Sequence, residues 1–332
     1  MPDPLVTVAI PTLAADARLL ECVAALRRQT QADFEVIVVD NSGAGKARQV
    51  GVRVIEQGRN TGFGAAVNTV FRASHSRYLA TLNDDTVPHP GWLAALVAAL
   101  ETRPDAGMCA SQVRLFGEEA LDSAGMLVCG DGSSKQRGHT RPPGFFPVAE
   151  EVLFPSGSAA LYRRAMLEEI GLFDEEFFLY CEDTDLGLRA RWAGWRCLYV
   201  PEAVVEHHYS HSAGRASRLK AYYVERNRLF VLVKNFPARM LAAAPFISLA
   251  RYCWHLRFMA RGHGAAARFR LEGASGWRMP AYVLGAHAAL LRRLPALWRA
   301  RRRIRAGARL SARIYSRLLR AHAISARRVA EL

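Results

Sequence analysis

The chain has 332 residues, 51% of them hydrophobic, so it can bury a large core and is longer than one typical domain. Its formal net charge is +15, yet residues 236–332 hold 20 arginines and only two acids, and residues 1–235 balance to −3. Because the basic excess is confined to residues 236–332, it argues against a nucleic-acid-binding main domain. The same contrast in composition predicts two domains, residues 1–235 and residues 236–332.

Short β-branched runs alternate with helical patterns along the first half of the chain. Residues 6–10, 19–28 and 36–39 predict strand, helix and strand, which is a βαβ unit and indicates an α/β fold with a parallel sheet. The pattern continues with strands at residues 52–55, 78–82 and 108–113 and helices at residues 65–73 and 91–101. Residues 130–150 lack periodicity and predict a long loop. Binding residues are expected at the carboxyl ends of the strands.

Two adjacent carboxylates follow the strand at residues 78–82, in Leu82-Asn83-Asp84-Asp85-Thr86. Side chains in this position emerge at the edge of the sheet, where they can meet a ligand. Two carboxylates suit a hard divalent cation, Mg²⁺ or Mn²⁺, which would neutralise charge on a departing diphosphate. A solvated turn capped by aspartate would explain the same residues, so the motif depends on its context.

Two further segments supply that context. Asp40 ends the strand at residues 36–39, where it can accept hydrogen bonds from a base or a ribose, or only initiate a turn. In Asn60-Thr61-Gly62-Phe63-Gly64-Ala65-Ala66-Val67-Asn68, two glycines open a helix and leave backbone N–H groups free to approach a nucleotide. The third glycine of a dinucleotide-binding fingerprint is missing, which argues against NAD.

The densest group of acids is Glu182-Asp183-Thr184-Asp185, which comes directly after the apolar and aromatic residues 177–181. Three carboxylates within four positions cannot all be well solvated if the segment packs against the core, so one of them is expected to act as a general base. The helix macrodipole would explain one or two acids at a helix start, but not the apolar residues before them.

His207-His208, with His211, follows a strand-like run at residues 203–206. Histidine is a borderline metal ligand, so one of these side chains could join the aspartate pair. An ordinary surface or core histidine is the alternative.

Taken in order, these segments resemble glycosyltransferase family 2 with the GT-A fold, especially its bacterial rhamnosyltransferase-like group. The resemblance covers roughly residues 5–237. It rests on Val8-Ala9-Ile10-Pro11-Thr12, Val38-Val39-Asp40-Asn41-Ser42, Asn60 to Asn68, Leu82-Asn83-Asp84-Asp85, Pro88-His89-Pro90-Gly91-Trp92-Leu93, Pro155-Ser156-Gly157-Ser158, Gly171-Leu172-Phe173-Asp174 and Glu182-Asp183-Thr184-Asp185-Leu186.

The resemblance implies an α/β GT-A (Rossmann-like) fold with a C-terminal helical extension, and a metal-dependent, inverting sugar transferase. The donor would be a dTDP- or UDP-sugar, with dTDP-rhamnose favoured, and the acceptor would be a lipid-linked glycan in the synthesis of cell-surface polysaccharide. Asp183 would be the general base, Asp85 and His207 would bind Mg²⁺ or Mn²⁺, with His208 as the alternative to His207, and Asp84 would contact ribose or metal. The nucleotide would be held by Thr12, Asp40, Asn60, Gly62, Phe63 and Gly64. The sequence departs from the family's D-x-D-type motif at Asn83.

The arginine-rich tail interleaves basic residues with short apolar runs. Its uncharged runs at residues 240–250 and 279–291 have 11 and 13 residues, short of the roughly 20 that span a bilayer. Apolar residues between 297 and 319 share one helical arc, with arginine over most of the remainder. This pattern favours helices lying on an anionic membrane surface, with a solvated helical bundle as the alternative. Since the six cysteines form no C-x-x-C pair and no signal peptide is evident, we expect a cytoplasmic protein, peripheral at the inner face of the membrane.

Two other functions compete with a sugar transferase. A sugar nucleotidyltransferase would place a glycine-rich, basic loop directly after the first strand, and Pro11-Thr12-Leu13-Ala14-Ala15 has none. A nucleic-acid-binding protein acting through its tail would leave Asp84, Asp85 and residues 182–185 without a purpose, so no nucleic-acid partner is expected.

Overall fold

The computed structural model describes residues 3–208, 218–264, 267 and 279–332. The chain forms two compact units, one made of Met1–Met126 with Gln136–Ser212 and the other of Leu127–Lys135 with Ala213–Leu332. The boundary expected after residue 235 falls inside the second unit, because the helix Arg218–Asn235 packs against the later helix Met279–Ala306.

One mixed sheet forms the centre of the first unit. In spatial order its main strands are β10, β12, β6, β11, β4, β1, β2 and β3, with β5 beside β12 and β7 beside β6. A separate pair, β8 and β9, forms a short hairpin. The strands in chain order are β1 (Val6–Thr12), β2 (Phe34–Asp40), β3 (Arg53–Glu56), β4 (Tyr78–Leu82), β5 (Thr86–Pro88), β6 (Ala106–Leu115), β7 (Leu121–Ser123), β8 (Met126–Val128), β9 (Ser134–Gln136), β10 (Glu150–Val152), β11 (Ala159–Arg163) and β12 (Arg196–His207).

Helices pack on this sheet because their apolar residues recur at helical spacing. They are α1 (Ala17–Leu26), α2 (Phe63–Ala73), α3 (Trp92–Thr102), α4 (Arg164–Ile170) and α5 (Glu182–Trp192). Asp16 caps α1 by accepting a hydrogen bond from the Arg18 N–H. Leu19, Val23 and Leu26 of α1 and Leu96 and Leu100 of α3 join the strand residues in one buried cluster.

The predicted parallel sheet is confirmed for β3, β2, β1 and β4, which run parallel in that order. The strand β11 lies between β4 and β6 and is antiparallel to both, which makes the whole sheet mixed. The expectation of one long loop at residues 130–150 is wrong in part, because β9, the start of β10 and a short 3-10 helix at Pro143–Phe145 lie there.

Helices dominate the second unit: α6 (Arg218–Asn235), α7 (Ala238–Ala260), α8 (Met279–Ala306), α9 (Ala312–Ala321) and α10 (Ala326–Glu331). The single helical arc expected across residues 297–319 is interrupted between α8 and α9, where the Ser311 side chain accepts from the Ile314 N–H and starts a new helix. In the part of the chain that is described, none of the helices is long and apolar enough to cross a bilayer.

Candidate active site

The carboxyl ends of β1, β2 and β4 meet at one edge of the sheet, and they carry several of the predicted residues. Thr12 ends β1 directly opposite Asp40, which ends β2. The Asn41 N–H donates to the Thr12 carbonyl over 2.8 Å. Since β4 is also parallel to β1, the residues that follow Leu82 emerge at the same edge. The fold therefore brings Thr12, Asp40 and Asp84 to one place.

Asp84 is held by Thr12, whose hydroxyl donates to the Asp84 Oδ2 over 2.6 Å. Burial raises the pKa of Asp84 to about 6; the Thr12 hydrogen bond opposes this rise and the neighbouring Asp85 charge adds to it. A carboxylate with this pKa is mostly ionised at neutral pH, and a positive or hydrogen-bonding ligand favours its charged form further.

Asp85 faces His207, which ends β12. The Asp85 Oδ1 and the His207 Nε2 are 3.3 Å apart, and the His207 Nδ1 lies 2.8 Å from the Oδ2 of Asp122. Burial lowers the pKa of His207, but hydrogen bonds to Asp122 and Asp85 outweigh it and raise the pKa to about 10. Burial would raise the pKa of Asp85, but the His207 hydrogen bond outweighs it and keeps the pKa below its usual range.

The two neighbouring histidines point to different partners. The ring of His208 stacks on Phe116 with centroids 3.8 Å apart, and its Nε2 lies 3.3 Å from Glu21 in α1. Its backbone N–H donates to the Asp85 carbonyl. The geometry thus favours His207 over His208 as the partner of the Asp85 carboxylate; His211 lies outside the described residues.

The Asp85 and His207 side chains fit a divalent cation. An imidazole nitrogen and a carboxylate oxygen 3.3 Å apart are spaced like neighbouring ligands whose metal bonds are about 2.0–2.2 Å long. Asp122 on the far ring nitrogen supplies the carboxylate that typically orients a metal-binding histidine. No cluster of three or more metal-binding side chains occurs among the described residues, so water and ligand oxygens would complete the shell, as is usual for Mg²⁺.

The predicted nucleotide segment packs against residues 173–178. The Asn60 side chain accepts from the Gly62 N–H, and the Phe63 N–H donates to the Phe178 carbonyl over 2.9 Å. A Cβ on Gly62 would lie 2.1 Å from that carbonyl oxygen, and one on Gly64 would lie 2.9 Å from Phe173. Packing alone therefore requires glycine at both positions, independently of any contact with a nucleotide.

Asp40 accepts backbone hydrogen bonds with both carboxylate oxygens. The Ser42 and Ala47 N–H groups each donate over 2.8 Å. Burial would raise the pKa of Asp40, but these hydrogen bonds hold it below its usual value. Asp40 thus shapes the turn after β2, and its binding of a base stays a prediction.

The three acids at the start of α5 have different environments. Asp185 is fully buried and pairs with Arg189 over 2.8 Å, and Arg189 also donates to the carbonyls of Ile170, Gly171 and Leu172. Asp185 is thereby engaged in holding the end of α4. The other two acids, Glu182 and Asp183, remain as candidates for proton transfer.

Asp183 accepts several hydrogen bonds, whereas the Oε2 of the buried Glu182 has no hydrogen-bond partner among the described residues. The Gly157 N–H donates to the Asp183 Oδ2 over 3.1 Å, and the backbone and hydroxyl of Thr184 donate to Oδ1. Burial raises the pKa of both acids, and burial followed by the Asp183 charge raises that of Glu182 to about 8. The donors favour the charged form of Asp183, so the proton of the pair resides on Glu182.

The backbone that leads into α5 is strained. Phe178, Tyr180 and Cys181 have positive φ angles of 63°, 71° and 65°, although none is glycine. Such conformations cost about 1–3 kcal/mol each and concentrate at functional sites. Here these backbone conformations bring the Phe178 carbonyl to the Phe63 N–H, and helix α5 begins directly after them at Glu182.

The loop at residues 155–158 connects the Asp84–Asp85 loop with Asp183. The Asn83 N–H donates to the Ser158 carbonyl over 2.9 Å, and the preceding residue, Gly157, donates to Asp183. A Cβ on Gly157 would lie 3.3 Å from the Phe63 ring and 3.5 Å from the Asp183 Cβ. The structure therefore gathers the Asp84–Asp85 loop, the nucleotide segment and Asp183 at one edge of the sheet.

Asp122 is a site residue that the sequence does not reveal. It lies in the short strand β7, is almost fully buried, and also faces His139. Burial would raise its pKa, but hydrogen bonds from His139 and His207 lower it to about 2. Leu121-Asp122-Ser123 resembles no motif, and its distance of 85 positions from His207 hides the contact.

Comparisons with known proteins bear on the family and the fold of the chain. The sequence profile of the family described as Glycosyl transferase family 2 matches residues 7–171. The N-acetylglucosaminyl-diphospho-decaprenol L-rhamnosyltransferase of Mycobacterium tuberculosis is 32% identical over 254 residues, which cover 67% of this chain and 82% of that protein. Rhamnosyltransferase WbbL of Escherichia coli is 42% identical over 67 residues, which cover 20% of this chain and 25% of that protein.

Two solved structures share the fold. A mannosyltransferase from Pyrobaculum calidifontis, solved with GDP-Man and Mn²⁺, has a TM-score of 0.51 and 17% identity, covering 97% of this chain and 87% of its own. GalNAc-T7, solved with UDP, GalNAc and Mn²⁺, has a TM-score of 0.59 and 15% identity, covering 75% of this chain and 51% of its own. At these identities the likeness shows the fold alone, which is the GT-A fold predicted from the sequence.

Proposed function

Because this chain belongs to glycosyltransferase family 2, in its bacterial rhamnosyltransferase-like group, we propose that it transfers L-rhamnose from dTDP-rhamnose to a lipid-linked glycan with inversion at the anomeric carbon. The M. tuberculosis relative is named for the transfer of L-rhamnose to N-acetylglucosaminyl-diphospho-decaprenol, which supports both the transferred sugar and the acceptor class. The observation that carries the proposal is the loop at residues 155–158, which ties the predicted base to the predicted cation site.

Asp183 acts as the general base in the proposed reaction. Its carboxylate takes the proton of the acceptor hydroxyl while the oxygen attacks the anomeric carbon from the side opposite the departing diphosphate. The hydrogen bonds from Gly157 and Thr184 fix the carboxylate in one orientation and keep it ionised. No covalent sugar intermediate is required, because one carboxylate serves one displacement.

Asp85 and His207 hold the cation in this proposal, Mg²⁺ or Mn²⁺, and Asp122 orients the His207 ring. When bound, the cation stabilises negative charge on the diphosphate. His207 must give up its proton to bind metal, so metal affinity is expected to rise with pH toward the pKa of about 10.

The nucleotide lies between β1, β2 and the start of α2 in this proposal. Thr12 and Asp40 face the base, Asp84 faces the ribose or the cation, and residues Asn60, Gly62, Phe63 and Gly64 line the remainder. The support is their common location at the carboxyl edge of the parallel strands, where ligands bind in open α/β sheets. We place the enzyme at the cytoplasmic face of the membrane, where a lipid-linked acceptor is accessible.

Nucleotide release by the full chain tests the proposal. Purified protein is incubated with dTDP-rhamnose, UDP-sugars and GDP-sugars, each with and without Mn²⁺ or Mg²⁺, in the presence of a prenyl-diphosphate-linked N-acetylglucosamine acceptor. We expect acceptor-dependent release of dTDP from dTDP-rhamnose, and its loss with EDTA. Activity only with another donor would contradict the rhamnosyl assignment, and full activity in EDTA would contradict the metal assignment.

Replacing Glu182 by glutamine tests which acid carries the proton. Glutamine has the shape of the neutral acid, so turnover near pH 7 is expected to stay within a few-fold of wild type. Above the Glu182 pKa of about 8, the wild-type enzyme gains a second buried charge beside Asp183, so its pH profile should bend there. The variant should lack that bend. It should keep the fall in activity at low pH, which reflects protonation of Asp183.

A profile of kcat/KM against pH for both proteins makes the comparison. If Glu182 were the ionised acid, its replacement would remove a charge next to Asp183 and move the acid limb to lower pH. That shift, or a loss of turnover as large as in an Asp183 variant, would contradict the assignment.

A further inference from the structure

Helix α7 buries polar side chains inside the second unit. Arg251 is 7% exposed and donates to Asp131 over 2.6 Å and to Glu225 over 2.8 Å. Ser248 accepts a hydrogen bond from Arg228, and both Arg228 and Asp131 are fully buried. The inward side of α7 therefore combines a buried ionic network with the buried apolar residues Ala244 and Phe258.

The outward side of α7 is apolar. Phe246, Leu249 and Leu256 are 76%, 62% and 61% exposed. With the exposed Cys253 they follow one another at intervals of three or four residues, so they form one row along the helix. We call these four residues the apolar row. Every exposed position of α7 between residues 240 and 256 is uncharged.

Arginines border the apolar row. Arg239 and Arg257, both exposed, lie beyond its two ends. Helix α8 repeats the combination, since Leu284 and Leu291 are each 70% exposed and the exposed Arg292 and Arg293 follow directly. Exposed apolar side chains flanked by arginine match the boundary between anionic headgroups and acyl chains.

We propose that the apolar row of α7 is a docking surface for an anionic lipid bilayer, with Phe246, Leu249 and Leu256 inserted below the headgroups and Arg239 and Arg257 on lipid phosphates. A second copy of the chain fits less well, because residues 236–332 hold 20 arginines against two acids and would repel their like. The inference deepens the proposed function through its lipid-linked acceptor, but the surface can be tested without any transfer.

Vesicle flotation of the full chain tests the surface. We expect wild type to float with vesicles of phosphatidylcholine and phosphatidylglycerol and to stay behind with phosphatidylcholine alone. The triple variant Phe246→Gln/Leu249→Gln/Leu256→Gln should bind the anionic vesicles at least about tenfold more weakly, because the apolar area available for insertion is lost. The matched control Phe145→Gln/Val148→Gln changes side chains that are 52% and 63% exposed in the first unit, and should bind as wild type does.

A fluorophore on Cys253 gives a second measurement that leaves the apolar side chains intact. An environment-sensitive dye attached there should shift to the blue with anionic vesicles, and Cys253→Ser protein treated in the same way should show no such shift. Donor hydrolysis by the triple variant should equal that of wild type, so a failure of docking is distinguishable from a failure of the transferase proposal.

Several outcomes would overturn the inference. They are unchanged vesicle binding by the triple variant, equal binding to neutral vesicles, and a dye that is already shielded in free protein and does not respond to vesicles. Conversion of a dimer to a monomer by the triple variant, without vesicle binding by wild type, would assign the apolar row to contact between copies instead.

Discussion

Asp183→Asn is expected to abolish sugar transfer while leaving donor binding nearly intact. Asparagine keeps the shape of the side chain, and its oxygen can still accept from Gly157 or Thr184. The amide cannot take the proton of the acceptor hydroxyl, so kcat should fall by about 10²–10⁴. Product formation measures the first effect, and calorimetric titration with the nucleotide donor measures the second.

Glu182→Gln is the matched control for this experiment, since it exchanges the adjacent buried acid for its amide without removing the base. It should retain turnover near neutral pH. Retained transfer by Asp183→Asn, or a loss of donor affinity as large as the loss of turnover, would show that Asp183 does not act as the base.

Asp85→Ala is expected to weaken metal binding and, with it, the metal-dependent part of donor binding. Asp85 offers its carboxylate beside the His207 imidazole, 3.3 Å away. Removing a carboxylate that orients a ligand typically costs about 10–100-fold in metal affinity, and removing a direct ligand should cost at least as much. Electron paramagnetic resonance of free Mn²⁺ measures the affinity without any turnover.

Asp122→Asn separates orientation of the histidine from ligation. It leaves Asp85 and His207 in place and is expected to reduce Mn²⁺ affinity by about 10–100-fold. Glu21→Gln is the matched control, because Glu21 faces His208 rather than His207. Unchanged Mn²⁺ affinity in both Asp85→Ala and Asp122→Asn would remove the cation from this site, and a loss in Glu21→Gln alone would favour His208.

The part of the fold that the sequence predicts is the part encoded by local pattern. β1, β2 and β4 are mostly apolar runs, so their positions and parallel direction can be inferred. β11 is not predicted, because Ala159–Arg163 has no β-branched residue and ends in a charge. Its burial depends on distant partners, since the Arg163 guanidinium donates to the carbonyls of Ala106 and Leu100.

The site residues also divide into those that a local sequence pattern reveals and those that only tertiary contacts reveal. Asp84, Asp85 and the acidic group at residues 182–185 can be selected from the sequence because these carboxylates follow apolar segments. The structure brings Asp84, Asp85 and Asp183 to one sheet edge. The contribution of Asp122 depends on a tertiary contact that no local pattern contains. Sequence pattern also cannot separate Glu182 from Asp183, because the difference lies in donors supplied by Gly157, 26 positions away.

The path of the chain between the two units limits how the protein can be dissected. Residues 127–135 leave the first unit, pack with the second, and return, and they carry the fully buried Asp131. The ion-pair partners of Asp131, Arg228 and Arg251, lie about a hundred positions downstream. A protein shortened at residue 212 would retain residues 127–135 without the helices they pack on, and Asp131 without either guanidinium. No single cut therefore separates the first unit from the second, because the chain of the first unit is interrupted by residues 127–135 of the second.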